Sequence, residues 1–273
     1  MGAREAVDAD ASHRDADDAR SPPASPSSLQ QSSIAASHLS SPPSSTAVAG
    51  VALLLLARLR PVHWAWSWNR LAFSRWLSQA APGLRFMKTL GSGRDGGFGL
   101  VPSMSHQGLF CIFDQLSDAQ AFIASPLVDR YRERSDECLI ATLRPASARG
   151  SWDGLALTPG EPVPAGMPLA ALTRASIRPA AAAQFWRHAP AAQHDLANAP
   201  GCELAIGLGE APLLRQATFS LWRDAQAMDA YARTGAHQAA IQAAWRHGFF
   251  SESMFVRFAP IAVQGNWKGR FYG

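Results

Sequence analysis

Apolar and polar positions divide the chain into short runs with a two-residue period and longer Ala-rich runs with a helical one. Gln216 to Trp222 alternates polar with apolar residues and is rich in β-branched and aromatic types, the pattern of a half-buried strand. Asp224 is placed to cap the run that follows, which reaches Trp245. Beyond Thr234-Gly235, His237, Ala240, Ile241, Ala244 and Trp245 fall at i, i+3, i+4, i+7 and i+8, so one histidine occupies an otherwise apolar helix face. The same reading predicts strands over 51–59, 84–90, 109–114 and 138–143, with helices over 64–79 and 118–134. It then predicts strands over 169–177, 202–208, 217–222 and 254–258, with helices over 181–197 and 224–246.

These two series are one plan written twice. Pro61 and Pro179, Trp68 and Trp186, and Gly83 and Gly201 each stand 118 positions apart. After Gly91 the first copy carries a loop that the second lacks, and Asp118-Ala-Gln-Ala121 matches Asp224-Ala-Gln-Ala227. Towards the ends, Gly150-Ser-Trp152-Asp-Gly154 matches Gly265-Asn-Trp267-Lys-Gly269 at a separation of 115. Each copy reads β-α-β-β-α-β, the ferredoxin-like order. The expected fold is α+β: two tandem ferredoxin-like repeats forming a pseudo-symmetric unit like a dimeric α/β-barrel, with a cavity between sheet and helices. Expected boundaries are a disordered Ser/Pro-rich tail over 1–46, a first repeat over 47–155, a linker over 156–167 and a second repeat over 168–273.

Charge adds a gradient. The first twenty residues hold six acids against three arginines, so the formal +4 of the chain conceals about +7 on the remainder. No Lys/Arg cluster interleaves with aromatics, which argues against nucleic acid and leaves solubility or docking to an acidic partner. Cys111, Cys138 and Cys202 are odd in number and far apart, which favours a reducing compartment over disulfides or zinc. The apolar run 48–57 is half the length a spanning helix needs and follows a long acidic stretch, not a short basic one. A cytoplasmic protein, at most peripheral to a membrane, is expected.

Gly91-Ser-Gly93-Arg-Asp-Gly96 fits GxGxxG only superficially, because extended chain follows it, not a helix. Among the histidines, His237 is the candidate iron ligand: it is enclosed by Ala and Ile, and a helix N-terminus favours the neutral imidazole that binds iron. A buried histidine bonded to a backbone carbonyl is the competing reading. His106, in the first-copy loop, and Cys202, at the head of a strand, are the alternative ligands. Cys202 lacks the positive neighbours that would favour its thiolate. Trp64, Trp66 and Trp68 crowd together, and Trp64 and Trp68 with Phe98 and Phe219 are the candidates for lining a channel. Trp152 and Trp267 read as end caps of the two copies.

From about Val48 to Gly269 the chain resembles the spheroidene monooxygenase family, the acyclic-carotenoid 2-ketolases. The resemblance rests on Leu90-Gly-Ser-Gly93 with Gly97-Phe98, on Pro168-Leu-Ala-Ala-Leu-Thr-Arg-Ala175 with Arg178-Pro179, and on Phe185-Trp186. Its longest part is Gly207-Leu-Gly-Glu210, Pro212-Leu-Leu214 and Gln216-Ala-Thr-Phe-Ser-Leu-Trp222, continuing through Ala227-Met-Asp-Ala-Tyr-Ala-Arg233 to His237. It implies a haem-dependent monooxygenase that oxidises C-2 of spheroidene and related carotenoids twice, through a geminal diol, to a ketone. Oxygen and a reduced ferredoxin-type donor are the implied co-substrates. The other readings are a carotenoid- or haem-binding protein without turnover and a cofactor-free oxygenase of the same barrel type. Homodimer formation is compatible with each.

Overall fold

The computed structural model describes residues 46–73, 80–97, 101–211, 214–233 and 235–273. Two excursions of the same kind build it. In the first, β2 (Val51–Leu59), α1 (Trp64–Ala72), β3 (Leu84–Gly93), β4 (Pro102–Phe113), α2 (Leu116–Ile123), α3 (Pro126–Arg134) and β5 (Ser135–Gly150) follow one another. In the second, β7 (Leu169–Ile177), α4 (Ala182–Ala197), β8 (Cys202–Ala211), β9 (Arg215–Trp222), α5 (Ala225–Ala232), α6 (Gly235–His247) and β10 (Phe250–Trp267) repeat the sequence. Two short strands, β1 (Thr46–Val48) and β6 (Leu155–Leu157), pair in parallel between them, and β11 (Arg270–Tyr272) returns along β10.

Hydrogen bonding runs β10-β5-β2-β4-β3-β8-β9-β7 and closes from β7 back to β10, giving an eight-stranded barrel with every neighbour antiparallel. Closure leaves no free edge among these strands. Within each half the order is fourth, first, third, second. The halves meet along β5 and β10, from Met254 opposite Gly150 to Gly265 opposite Leu139, and at the single pair Gly91–Gly209.

The strands outrun the predicted ones because this pairing between halves continues past the apolar runs: β5 extends from 135 to 150 and β10 from 250 to 267. Pro260 sits beside a register shift, where the ladder spares the missing N–H. The helical run over 118–134 is two helices, since Pro126 starts a new one with its ring at the first turn. Asp224 caps α5 by accepting the Ala227 N–H at 2.8 Å. The tail over 1–45 and the 74–79 end of the first predicted helix lie outside the described residues.

Period-two alternation on closed strands sends alternate side chains inward. Leu54, Leu56, Phe110, Ile112, Leu172, Ile206, Phe219, Val256 and Phe258 fill the interior, and Trp152 and Trp267 close its two ends. The barrel is therefore a packed core to which both halves contribute. The helices lie outside, on the other face of the strands.

Candidate active site

The outer faces of the two half-sheets carry equivalent positions with very different side chains. Register sets Met87, Cys111, Leu53 and Thr142 in one row of the first half, and Ala205, Ser220, Ala171 and Arg257 in the same row of the second. The next row is Thr89, Leu109, Leu55 and Ile140 in the first half and Gly207, Thr218, Thr173 and Phe255 in the second. Leucine, cysteine and methionine have become alanine, threonine and serine, while Ile140 and Thr142 have become Phe255 and Arg257.

The helices above respond differently. In the first half Phe122, Leu127, Val128 and Tyr131 press onto the floor, and Leu53, Leu55 and Leu109 are fully buried. In the second half, among the described residues, Leu196, Ala227 and Met228 cover the end near Leu169 and Trp222. Thr173, in the middle of a central strand, is exposed, Thr218 is half-buried and Phe255 is 37% exposed. A mid-sheet threonine open to solvent beneath a helical layer marks a cleft. The row of small residues runs across β8, β9, β7 and β10 and on to β5, about 19 Å at the ordinary strand spacing; it is open at Thr173, Thr218 and Phe255, whereas Gly207, Ala171 and Ser220 are buried. Where it reaches β5 it opens into a depression of about 340 Å³ lined by Ser147, Ala148, Arg149, Phe255 and Arg257. Arg257 donates to Asp229 of α5 at 2.6 Å, tying the helical layer to this end. Such a floor accepts a flat or elongated apolar group and offers it two hydroxyls and a cationic end.

The predicted site residues are distributed around this cleft. His237 lies on α6, in the helical layer of this half, and its side chain is outside the described residues, as is Phe98. Cys202 heads β8, near its end; its Sγ faces the Leu204 carbonyl at 3.5 Å, and burial pushes the thiol up to about 11, so it is protonated at neutral pH. His106 sits on β4 at an end of the barrel, its ring 5.8 Å from that of Trp267. Burial and then Arg58 hold its pKa below the usual histidine value. Trp64 belongs to the first-half helical layer, its Nε1 donating to the Leu59 carbonyl at 3.3 Å, and Trp68 is 36% exposed on α1. Phe219 points into the barrel core and is 2% exposed.

Residue-type reasoning passed over Ala171, Thr173, Ala205, Gly207 and Thr218, which form the floor. The signal for them was in the repeat: Leu53-Leu54-Leu55 against Ala171-Leu172-Thr173 at the same 118-residue separation. Among the described residues no cluster of three or more His, Cys, Asp or Glu could hold a metal by itself. No helix of the described residues is long and apolar enough to cross a membrane.

Comparisons with known proteins match this half and most of the chain. The family described as "Antibiotic biosynthesis monooxygenase" matches residues 168–243, which carry β7 to α6. The spheroidene monooxygenase of Rubrivivax gelatinosus is 54% identical over 85% of this chain and 90% of its own length. That of Rhodobacter capsulatus is 36% identical over 75% of this chain and 87% of its own.

Proposed function

The chain belongs to the spheroidene monooxygenase family, and on that premise we propose that it is an oxidoreductase that oxidises C-2 of acyclic carotenoids, taking spheroidene to the 2-ketone through a hydroxyl and a geminal diol. The observation that carries the reading is the small-residue floor of the second half, with Thr173 exposed where its counterpart Leu55 is fully buried. A polyene is long, apolar and rigid, and a floor about 19 Å across suits it. Phe255 and the small side chains would hold the chain flat, while Thr173 and Thr218 bring hydroxyls to a substrate oxygen formed during turnover.

An unactivated methylene has no proton that a side chain can remove, so the reaction calls for a group that activates oxygen, and haem would supply that chemistry. The floor fits a flat macrocycle, because five neighbouring positions carry nothing larger than threonine. His237 on α6 is the residue that would hold the haem iron; the protonated Cys202 thiol is the weaker alternative, and His106 stands at the barrel end. We further propose that the duplicated strand order reflects two ferredoxin-like units. Electrons would come from an acidic ferredoxin-type donor steered by the positive charge of the folded part, at a membrane surface where the carotenoid resides.

The test is turnover of spheroidene by haem-loaded protein with oxygen, ferredoxin and reductase, beside an absorption spectrum before and after carbon monoxide. Ketone formation with a carbon-monoxide-sensitive Soret band is the expected result. Turnover without bound haem would favour a cofactor-free oxygenase, and carotenoid binding without turnover would leave a binding protein.

A further inference from the structure

The seam between β5 and β10 carries two depressions that the internal repeat relates. Positions 115 apart exchange places across it: Phe255 lies opposite Arg149 as Ile140 lies opposite Gln264, and Arg257 opposite Ser147 as Thr142 opposite Ala262. Around Ile140 and Gln264 the depression is about 190 Å³, and its one arginine, Arg132, pairs with Asp129 of its own helix at 3.0 Å. Around Phe255 and Arg149 it is about 340 Å³. Each depression is a control for the other.

They differ in charge. Arg149 stands where the repeat has a glutamine, and Arg257 where it has the buried Thr142. Both guanidiniums line the larger depression together with Ser147, and no acid does. Arg257 is tied to Asp229 of α5 at 2.6 Å, and Arg233 meets the same carboxylate at 3.5 Å. Arg149 is exposed, with no acid at ion-pair distance among the described residues. This end of the cleft therefore holds three guanidiniums against one carboxylate, and a concave wall of one sign attracts a counter-ion. Both lining arginines belong to the half whose floor is open at Thr173; the half whose floor is packed has neither.

Register sets Arg149, Phe255 and Thr173 in one row, so Arg149 stands two strand spacings, about 10 Å, from the open threonine. The rim of a flat group laid over Thr173 would reach the depression. Haem carries two propionate carboxylates on one edge, and a guanidinium binds a carboxylate through two parallel N–H bonds.

We propose that Arg149 and Arg257, with the Ser147 hydroxyl, hold the propionates of the macrocycle, which turns that edge toward the β5–β10 seam; the inference rests on the reading that haem occupies this floor. Asp229 keeps Arg257 in place until the propionate arrives and then competes with it.

The experiment titrates the full chain with haem and with haem dimethyl ester, in which both propionates are blocked, following the Soret band and tryptophan fluorescence. Haem is expected to bind about tenfold or more tightly than the ester. Arg149→Gln, which installs the residue of the other depression at an exposed and unpaired position, should weaken haem about threefold to tenfold and leave the ester unchanged. Asp229→Asn should tighten haem and not the ester, a gain that a structural role for Arg257 would not produce. Equal affinity of the two forms for the unaltered chain, or haem affinity unchanged in Arg149→Gln, would overturn the proposal and leave the haem reading standing. Failure of both forms to bind the unaltered chain would overturn the two together.

Discussion

Glu252 Oε1 accepts the backbone N–H of Gly154 at 3.0 Å, and 115 positions earlier Glu137 Oε1 accepts that of Gly269 at the same distance. Each carboxylate stands at the start of the last long strand of its own half and holds the hairpin that ends the last strand of the other. The clasp is reciprocal, and it fixes both ends of the β5–β10 seam. Its two sides differ in cost. Glu252 also pairs with Arg174, which is 1% exposed and shares Glu210 and Asp153, whereas Glu137 pairs with the half-exposed Arg58. Glu252→Ala is expected to destabilise the fold by about 2 kcal/mol and Glu137→Ala by about 1 kcal/mol in urea denaturation, because the first leaves a buried guanidinium short of a partner.

The same network gives acid sensitivity with a definite sign. Burial opposes ionisation of Glu252, but the Gly154 N–H, the Ser151 hydroxyl and Arg174 outweigh it and hold its carboxyl below the usual glutamate range. Burial likewise opposes Asp153, and Lys88 with Arg174 and Arg215 reverses it. A folded pKa below the unfolded one contributes stability at pH values above the ordinary carboxylate range, and that contribution is lost as pH falls through the lowered values. Unfolding free energy should therefore decline below about pH 4 to 4.5, and Glu252→Gln should flatten that decline. A decline of equal steepness in the variant would remove Glu252 from the account.

The cleft predicts a transplant. Thr173→Leu with Thr218→Leu gives the second half the residues that its counterpart carries at these positions, Leu55 and Leu109, both fully buried. Filling the floor should lower turnover of spheroidene about tenfold or more, equivalent to 1.4 kcal/mol in the transition state, while the melting temperature stays level or rises. The reverse change, Leu55→Thr, should cost about 2 to 4 kcal/mol by opening a cavity in a packed layer. Turnover that ignores the leucines would place the substrate elsewhere.

Haem binding separates the ligand candidates. His237→Ala is expected to lose the Soret band on titration with haem, and Cys202→Ala to keep it, because burial holds that thiol protonated. His106→Ala should also keep it, since this ring faces Trp267 at the barrel end. Retained binding and an unchanged spectrum in His237→Ala would exclude His237 as the ligand.

The strands of the first and second halves were legible because period-two alternation and the repeat both recorded them; β2 and β7 begin and end at the predicted residues. The repeat also predicted a barrel, but not the contacts that close it, the Gly91–Gly209 pair and the ladder residues beyond the apolar runs, where nothing in local composition distinguishes a strand from a loop. Phe219 illustrates the same limit. Aromatic character suggested a channel, but its parity on β9 sends it into the core. The small-residue row of the second half was not legible from residue type, since alanine, glycine and threonine stand out only against the larger residues they replace.

Two glycines of one hairpin offer a last, internally controlled test. Gly150 and Gly154 adopt nearly the same left-handed conformation, with φ of 76° and 78°. They differ in surroundings: a Cβ on Gly154 meets nothing within 4 Å, whereas one on Gly150 would come within 1.9 Å of the Ser253 carbonyl oxygen of the neighbouring strand. Gly154→Ala therefore carries only the conformational penalty of placing alanine at positive φ, about 1 kcal/mol. Gly150→Ala adds a backbone collision that side-chain rotation cannot relieve, and β5 must move away from β10 where Gly150 pairs with Met254. The expected cost is about 3 kcal/mol or more, read as a shift of the urea midpoint at unchanged slope. Equal costs for the two variants would show that the seam at Gly150 is looser than its close approach to Ser253 implies.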